Sequence, residues 1–143
     1  MSYAHVVPKV AHVCLPRHNC QGHRLSDKHI ISARPGFIRA RNHGEKAISK
    51  GVIIQAVRHD NSHWRYGLTA TKKIGNAVIR NRVRRRLRAI AKQVLAPLAM
   101  SGVDYVLIGR ATTATSQWAE LINEVEKSLR YLHRKLGDAE KQG

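Results

Sequence analysis

The residues best suited to chemistry lie between positions 72 and 88. Lys72-Lys73-Ile74-Gly75-Asn76 is followed by Arg80, Asn81, Arg82, Arg84, Arg85, Arg86 and Arg88. These types bind anions. From Asp60 to Asp104 no acidic residue intervenes, so the positive charge is concentrated rather than balanced along this stretch. Arg80, Arg84 and Arg88 stack like charge on like charge at the i,i+4 spacing of a helix, which is destabilising alone. The spacing makes sense once phosphates neutralise it. Arginine suits that task because its planar fork grips phosphate oxygens and stacks on bases. The two lysines precede a helix N-terminus, where free backbone N–H groups already favour an anion, so a phosphate or hydrated metal fits the loop. It is not a P-loop, since the Gly-x4-Gly-Lys-Ser/Thr spacing is missing.

Nothing else in the chain has the makings of a protein active site. Asp104 falls on a strand and Glu120, Glu124 and Glu126 on a solvated helix face, so no carboxylate pair is available for acid–base work and no catalytic residue is expected. His43, His59 and His63 read as surface histidines near loops. His12, Cys14, His18, Cys20 and His23 offer zinc-ligand types, but Cys-x5-Cys departs from the usual finger spacing and no second ligand pair follows. The reading there is a polar extension, without zinc and without any other resident metal.

The net charge of +17 calls for a polyanionic partner, and nucleic acid is favoured over a membrane surface. No segment approaches the roughly 20 apolar residues of a span. The N-terminus has neither a basic n-region nor an apolar h-region, so a cytoplasmic protein with reduced thiols is expected.

The elements that must position the basic run follow from periodicity. Residues 1–34 show no sustained period and read as an N-terminal extension with little structure. A short helix fits Phe37–Arg41, between Pro35 and Gly44. Gly51–Val57 reads as a strand, Asp60–Ser62 as a turn, and Arg65–Thr71 as the strand returning in a hairpin, with a weaker strand signal somewhere in 38–50. Asn76 caps a helix whose apolar residues Ile79, Val83, Leu87, Ile90 and Val94 recur at spacings of three and four, ending before Pro97. On a helical wheel Ile79, Val83, Leu87 and Ile90 occupy an arc of about 80°, leaving the arginines outside it. Val103–Gly109 is a buried strand by its apolar run, and Trp118, Leu121, Ile122, Val125, Leu129, Leu132 and Leu136 form the stripe of a last helix. An α+β domain over 35–137 results, its helices packed on one side of a small mixed sheet of about four strands, with a C-terminal tail at 138–143.

The run Lys72-Lys-Ile-Gly-Asn-Ala-Val-Ile-Arg-Asn-Arg-Val-Arg-Arg-Arg-Leu-Arg88 closely resembles the signature of the bacterial ribonuclease P protein family, including its Arg-Asn-Arg core. Arg65-Tyr-Gly-Leu-Thr69 and Asp104-Tyr-Val-Leu-Ile-Gly-Arg110 are similar to the family's third and fourth strands, so the likeness spans about residues 35–136. The resemblance implies the order αβββαβα with a left-handed βαβ crossover, the ribosomal protein S5 domain 2-like fold, where general rules would give a right-handed one.

It also implies a role as the protein subunit of ribonuclease P. An RNA subunit performs Mg²⁺-dependent cleavage, with Mg²⁺ bound mainly by that RNA and the substrate, while the protein binds the catalytic RNA and the 5′ leader of precursor tRNA. Lys72, Lys73, Arg80, Asn81, Arg82, Arg84, Arg85 and Arg88 then contact RNA, and Arg86 replaces a position often apolar. Phe37 matches the first aromatic of the family's leader cleft and serves equally well as a core anchor. Arg41 and Gln55 stand where relatives often carry a second aromatic and a tyrosine, which implies a more electrostatic leader contact. No obligate protein partner and no membrane partner are implied. The rival readings are a non-enzymatic ribosomal or RNA-chaperone-like binding protein, and a protein-only nuclease that would need clustered carboxylates.

Overall fold

A computed structural model describes residues 29–142, so residues 12–23 with their cysteines and histidines lie outside the described part. In chain order the elements are α1 (Arg34–His43), β1 (Glu45–Ile48), β2 (Val52–Arg58), β3 (Arg65–Thr69), α2 (Ala77–Ile90), β4 (Val103–Gly109) and α3 (Trp118–Gln142). Pro35 sits in the first turn of α1, where its missing N–H costs nothing, and the Gly44 N–H closes the last turn on the Ala40 carbonyl.

The sheet order is β1-β2-β4-β3, with β1–β2 and β2–β4 antiparallel and β3–β4 parallel. This corrects the hairpin expected between β2 and β3. β4 lies between them, pairing Ile54 with Leu107 on one side and Tyr66 with Tyr105 on the other. The reason is burial: β2 and β4 are apolar along nearly their whole length and need neighbours on both edges, whereas Glu45-Lys46-Ala47-Ile48 tolerates an edge. The hairpin in the molecule is β1–β2.

The helices also occupy both faces rather than one. Ile54, Ala56, Tyr105 and Leu107 point to the main core under α2 and α3, while Val57 and Val106 point the other way, where Phe37 and Ala40 of α1 and Ile31 cover them. Strands buried on two faces demand cover on two faces.

Three boundaries shift for identifiable reasons. Ahead of Pro35, His29 stacks on Trp64 at 4.5 Å, Ile30 forms a parallel bridge with Tyr66, and Ile31 is buried with its N–H on the Tyr66 carbonyl. The helix after Asn76 does not stop before Pro97. It passes through a wide π turn at Ala91–Leu95 and one last turn at Ala96–Leu98, the loosened ladder accommodating a residue with no N–H to donate. α3 continues past residue 137 to Gln142, and Arg58 pairs with Glu140 at 2.9 Å on that final turn.

Candidate RNA interface

α2 owes its start to Asn76, whose side-chain oxygen accepts the Ile79 N–H at 3.0 Å. Its inner face buries Val83, Leu87 and Ile90 completely, each contributing about 2 kcal/mol. The approach to the sheet is close enough that a Cβ on Gly109 would overlap Val83. With that stripe fixed inward, the remaining positions must face out. Asn81, Arg82, Arg84, Arg85 and Arg88 are exposed, as are Lys72 and Lys73 on the single 3-10 turn Lys72–Ile74 just before the helix. Arg80 is half-buried, and its Nε is enclosed without a hydrogen-bond partner. None of these cations meets a carboxylate among the described residues. Val78 adds an apolar spot at 76% exposure. The molecule thus gathers all eight expected RNA-contacting residues at one helix and its approach turn.

Arg86 behaves differently. It donates to the carbonyls of Thr113 and Ser116 at 2.5 and 2.6 Å, and its guanidinium lies 5.6 Å from the Trp118 ring centroid. This side chain ties α2 to the turn leading into α3. The same turn holds the β1–β2 loop through Arg110 to Ser49, Thr112 to Lys50 and Thr113 to Gly51.

The expected leader-cleft residues are dispersed over α1 and the sheet face beneath it. Phe37 is half-buried and lies on Gly67, where a Cβ would come within 2.5 Å of the ring. It packs with Ile31, Ala40, Val57 and Val106, so it is a core anchor with a partly open ring. Arg41 is exposed, while Gln55 is 7% exposed between β1 and β4.

Sequence reading missed a charged knot at the end of the sheet. Asp104 is fully buried and receives both Arg65 Nε and Nη2 at 2.7 Å. His59, expected on the surface, is buried against it: Nε2 lies 3.2 Å from Asp104 Oδ1, poorly aligned for a hydrogen bond, while Nδ1 accepts the Asn61 N–H at 3.0 Å. Burial lowers the His59 pKa against the opposing pull of Asp104, and the nearby guanidiniums of Arg65 and Arg39 lower it further. Arg39 donates to the Arg58 carbonyl at 2.6 Å and borders a cavity of about 320 Å³ with Ile31, Ser32, Pro35, Arg65 and Asp104. The one clue in sequence was Arg65 and Asp104 as oppositely charged residues on two strands, and nothing local says those strands are adjacent. No group of three or more His, Cys, Asp or Glu side chains that could hold a metal occurs among the described residues. None of the helices among them is long and apolar enough to cross a membrane.

An α+β domain with a carboxylate-free arginine helix on its main core is a nucleic-acid-binding module in class. Comparison with known proteins sharpens that class. A family model described as Ribonuclease P matches residues 25–133. The ribonuclease P protein component of Gluconacetobacter diazotrophicus is 42% identical over 103 residues, covering 71% of this chain and 89% of the relative. That of Geobacillus kaustophilus is 32% identical, with 83% and 95% covered. A solved ribonuclease P protein from Staphylococcus aureus superposes with a TM-score of 0.61 at 23% identity, covering 72% of this chain and 94% of the other. That likeness shows the fold. The chain belongs to the ribonuclease P protein family, the RNA-binding protein subunits of the endoribonuclease that works in tRNA processing.

Proposed function

We propose that α2 and the turn before it bind the ribonuclease P RNA, and that α1 with the sheet face beneath it receives the 5′ leader of precursor tRNA in the cytoplasm. One observation carries the reading: seven exposed or half-buried cations, Lys72 and Lys73 on the approach turn and Arg80, Arg82, Arg84, Arg85 and Arg88 on a helix whose other face is locked into the core, pair with no carboxylate among the described residues. Such a row repels itself until phosphates lie along it. Asn81 lies between two of the arginines and adds amide donors and an acceptor for base edges or phosphates.

In this reading no side chain of the protein enters the bond-breaking step. Mg²⁺, bound mainly by the RNA subunit and the substrate, would supply the activation of water and the stabilisation of the leaving oxygen. The chain's own residues hold phosphates, and near the leader Phe37 offers a partly open ring for stacking while Arg41 offers charge. Gln55, nearly enclosed, contributes by hydrogen bonding at the cleft floor.

The test mixes the full chain with the ribonuclease P RNA at low Mg²⁺ and follows cleavage of precursor tRNA. Cleavage that neither component supports alone is the expected result, lost with Arg82→Ala/Arg84→Ala and retained in part with Arg41→Ala. Tight RNA binding without any gain in cleavage would instead favour a non-enzymatic RNA-binding role.

A further inference from the structure

A second surface has the make-up of a single-stranded RNA site and lies apart from α2. α2 packs over β3 and β4 and α3 over β1 and β2, which puts the outer sides of these helices towards opposite edges of the sheet. At the β1 edge a groove of about 530 Å³ runs between β1 and α3, lined by Lys46, Ser49, Lys127, Ser128 and Tyr131 together with the apolar Ala47 and the exposed Ile48. Its one carboxylate, Glu124, accepts the Gly51 N–H at 2.8 Å.

Tyr131 is 39% exposed. The Arg134 guanidinium and the Lys135 ammonium stand 5.8 and 5.9 Å from its ring centroid. Lys46, Lys127, Arg134 and Lys135 pair with no carboxylate among the described residues. An aromatic ring set among free cations, beside a groove along a sheet edge, is the arrangement that stacks one base and follows its backbone. A second copy of the chain is disfavoured as occupant by a net charge of +17, since like charges would meet.

We propose that this groove is a second RNA-binding surface, taking a single-stranded segment with one base stacked on Tyr131 and the neighbouring phosphates held by Lys46, Lys127, Arg134 and Lys135. It rests on the reading above only in that α2 and the α1 face are taken to be filled in the assembled enzyme.

The experiment uses that assembly: full chain, ribonuclease P RNA and saturating precursor tRNA, probed with a short fluorescent oligouridylate carrying 4-thiouridine. The expected result is a crosslink within the α3 segment holding Tyr131, with affinity about tenfold weaker for Tyr131→Ala and unchanged for Tyr131→Phe. Lys127→Ala/Arg134→Ala should flatten the salt dependence of probe binding by about one to two phosphates. Melting curves of the variants that match the parent exclude misfolding as the cause. Crosslinks confined to α1 and α2 overturn the proposal, as does unchanged affinity in Tyr131→Ala. Self-association of the free chain that Tyr131→Ala abolishes also overturns it, reassigning the face to chain–chain contact. All of these leave precursor cleavage intact, whereas failure of the earlier reading abolishes cleavage itself.

Discussion

Along the outer side of α2, Arg82, Arg84, Arg85 and Arg88 stand exposed with no carboxylate partner, while at the start of β3 Arg65 grips a fully buried Asp104 through two 2.7 Å hydrogen bonds. The side chain is the same in both places and the work is opposite. Arg65 spends its charge inside the molecule, joining β3 to β4 and neutralising a carboxylate that could not otherwise be buried. The α2 arginines keep theirs for something outside. Arg86 shows that a position within the helix does not decide the matter, because it faces backbone carbonyls and Trp118 and so belongs with Arg65.

Substitutions can break this contrast, and the largest effect falls on the knot. Asp104→Ala should cost about 3 kcal/mol in urea unfolding, near the lower end for a broken buried pair because Arg65 is partly solvated and finds water. RNA affinity of the folded variant should stay close to the parent's. A comparable loss of affinity would mean that Arg65 or His59 also touches RNA.

Arg86→Ala should come next, with a loss of about 2 kcal/mol from two charge-assisted hydrogen bonds and the contact with Trp118. Arg86→Lys should recover only part of it, since an ammonium cannot match both carbonyls in the fork geometry. Arg84→Ala, by contrast, should leave stability within about 0.5 kcal/mol. Its effect should be on RNA, lowering affinity about uniformly across sequences and reducing the salt slope by about one phosphate.

The smallest effects are those of pH. Burial lowers the pKa of both His59 and His133 below the ordinary 6.5. The unfolded chain therefore binds more protons than the folded one just below that value, so stability is full above pH 6.5 and falls as pH drops towards the folded values. Tyr105, whose hydroxyl meets His133 Nε2 at 2.8 Å and accepts the Met100 N–H at 3.0 Å, has its pKa raised by burial from 10.0 to about 12. Stability held below pH 10 is lost as pH rises between those two values. Thermal unfolding across pH should trace both flanks, and His59→Gln should flatten the acid one in part.

Much of this was legible one residue at a time. Val83, Leu87 and Ile90 of the expected stripe oriented α2, so the outward direction of its arginines followed from helical geometry alone, whereas Ile79, expected to face inward with them, is exposed in the first turn. Asn76 announced the helix start and Gly44 the end of α1. The order β1-β2-β4-β3 was not legible, because β2 and β3 are close in sequence and a turn at Asp60–Ser62 fits a hairpin as well as it fits the passage beyond β4. The knot of His59, Arg65 and Asp104 depends on that same pairing and so stayed hidden with it. Arg86 was hidden for a related reason: its carbonyl acceptors sit 27 and 30 residues away.

By itself the sequence determined the elements, the sign and place of the charge, and the class of partner, since periodicity, capping and like-charge repulsion are properties of neighbours along the chain. Only the tertiary structure decided which strands touch, which face α1 covers, and which arginines are already satisfied. Those questions turn on what meets what across long separations, where burial forces each apolar face and each charge to find a partner that local pattern cannot name.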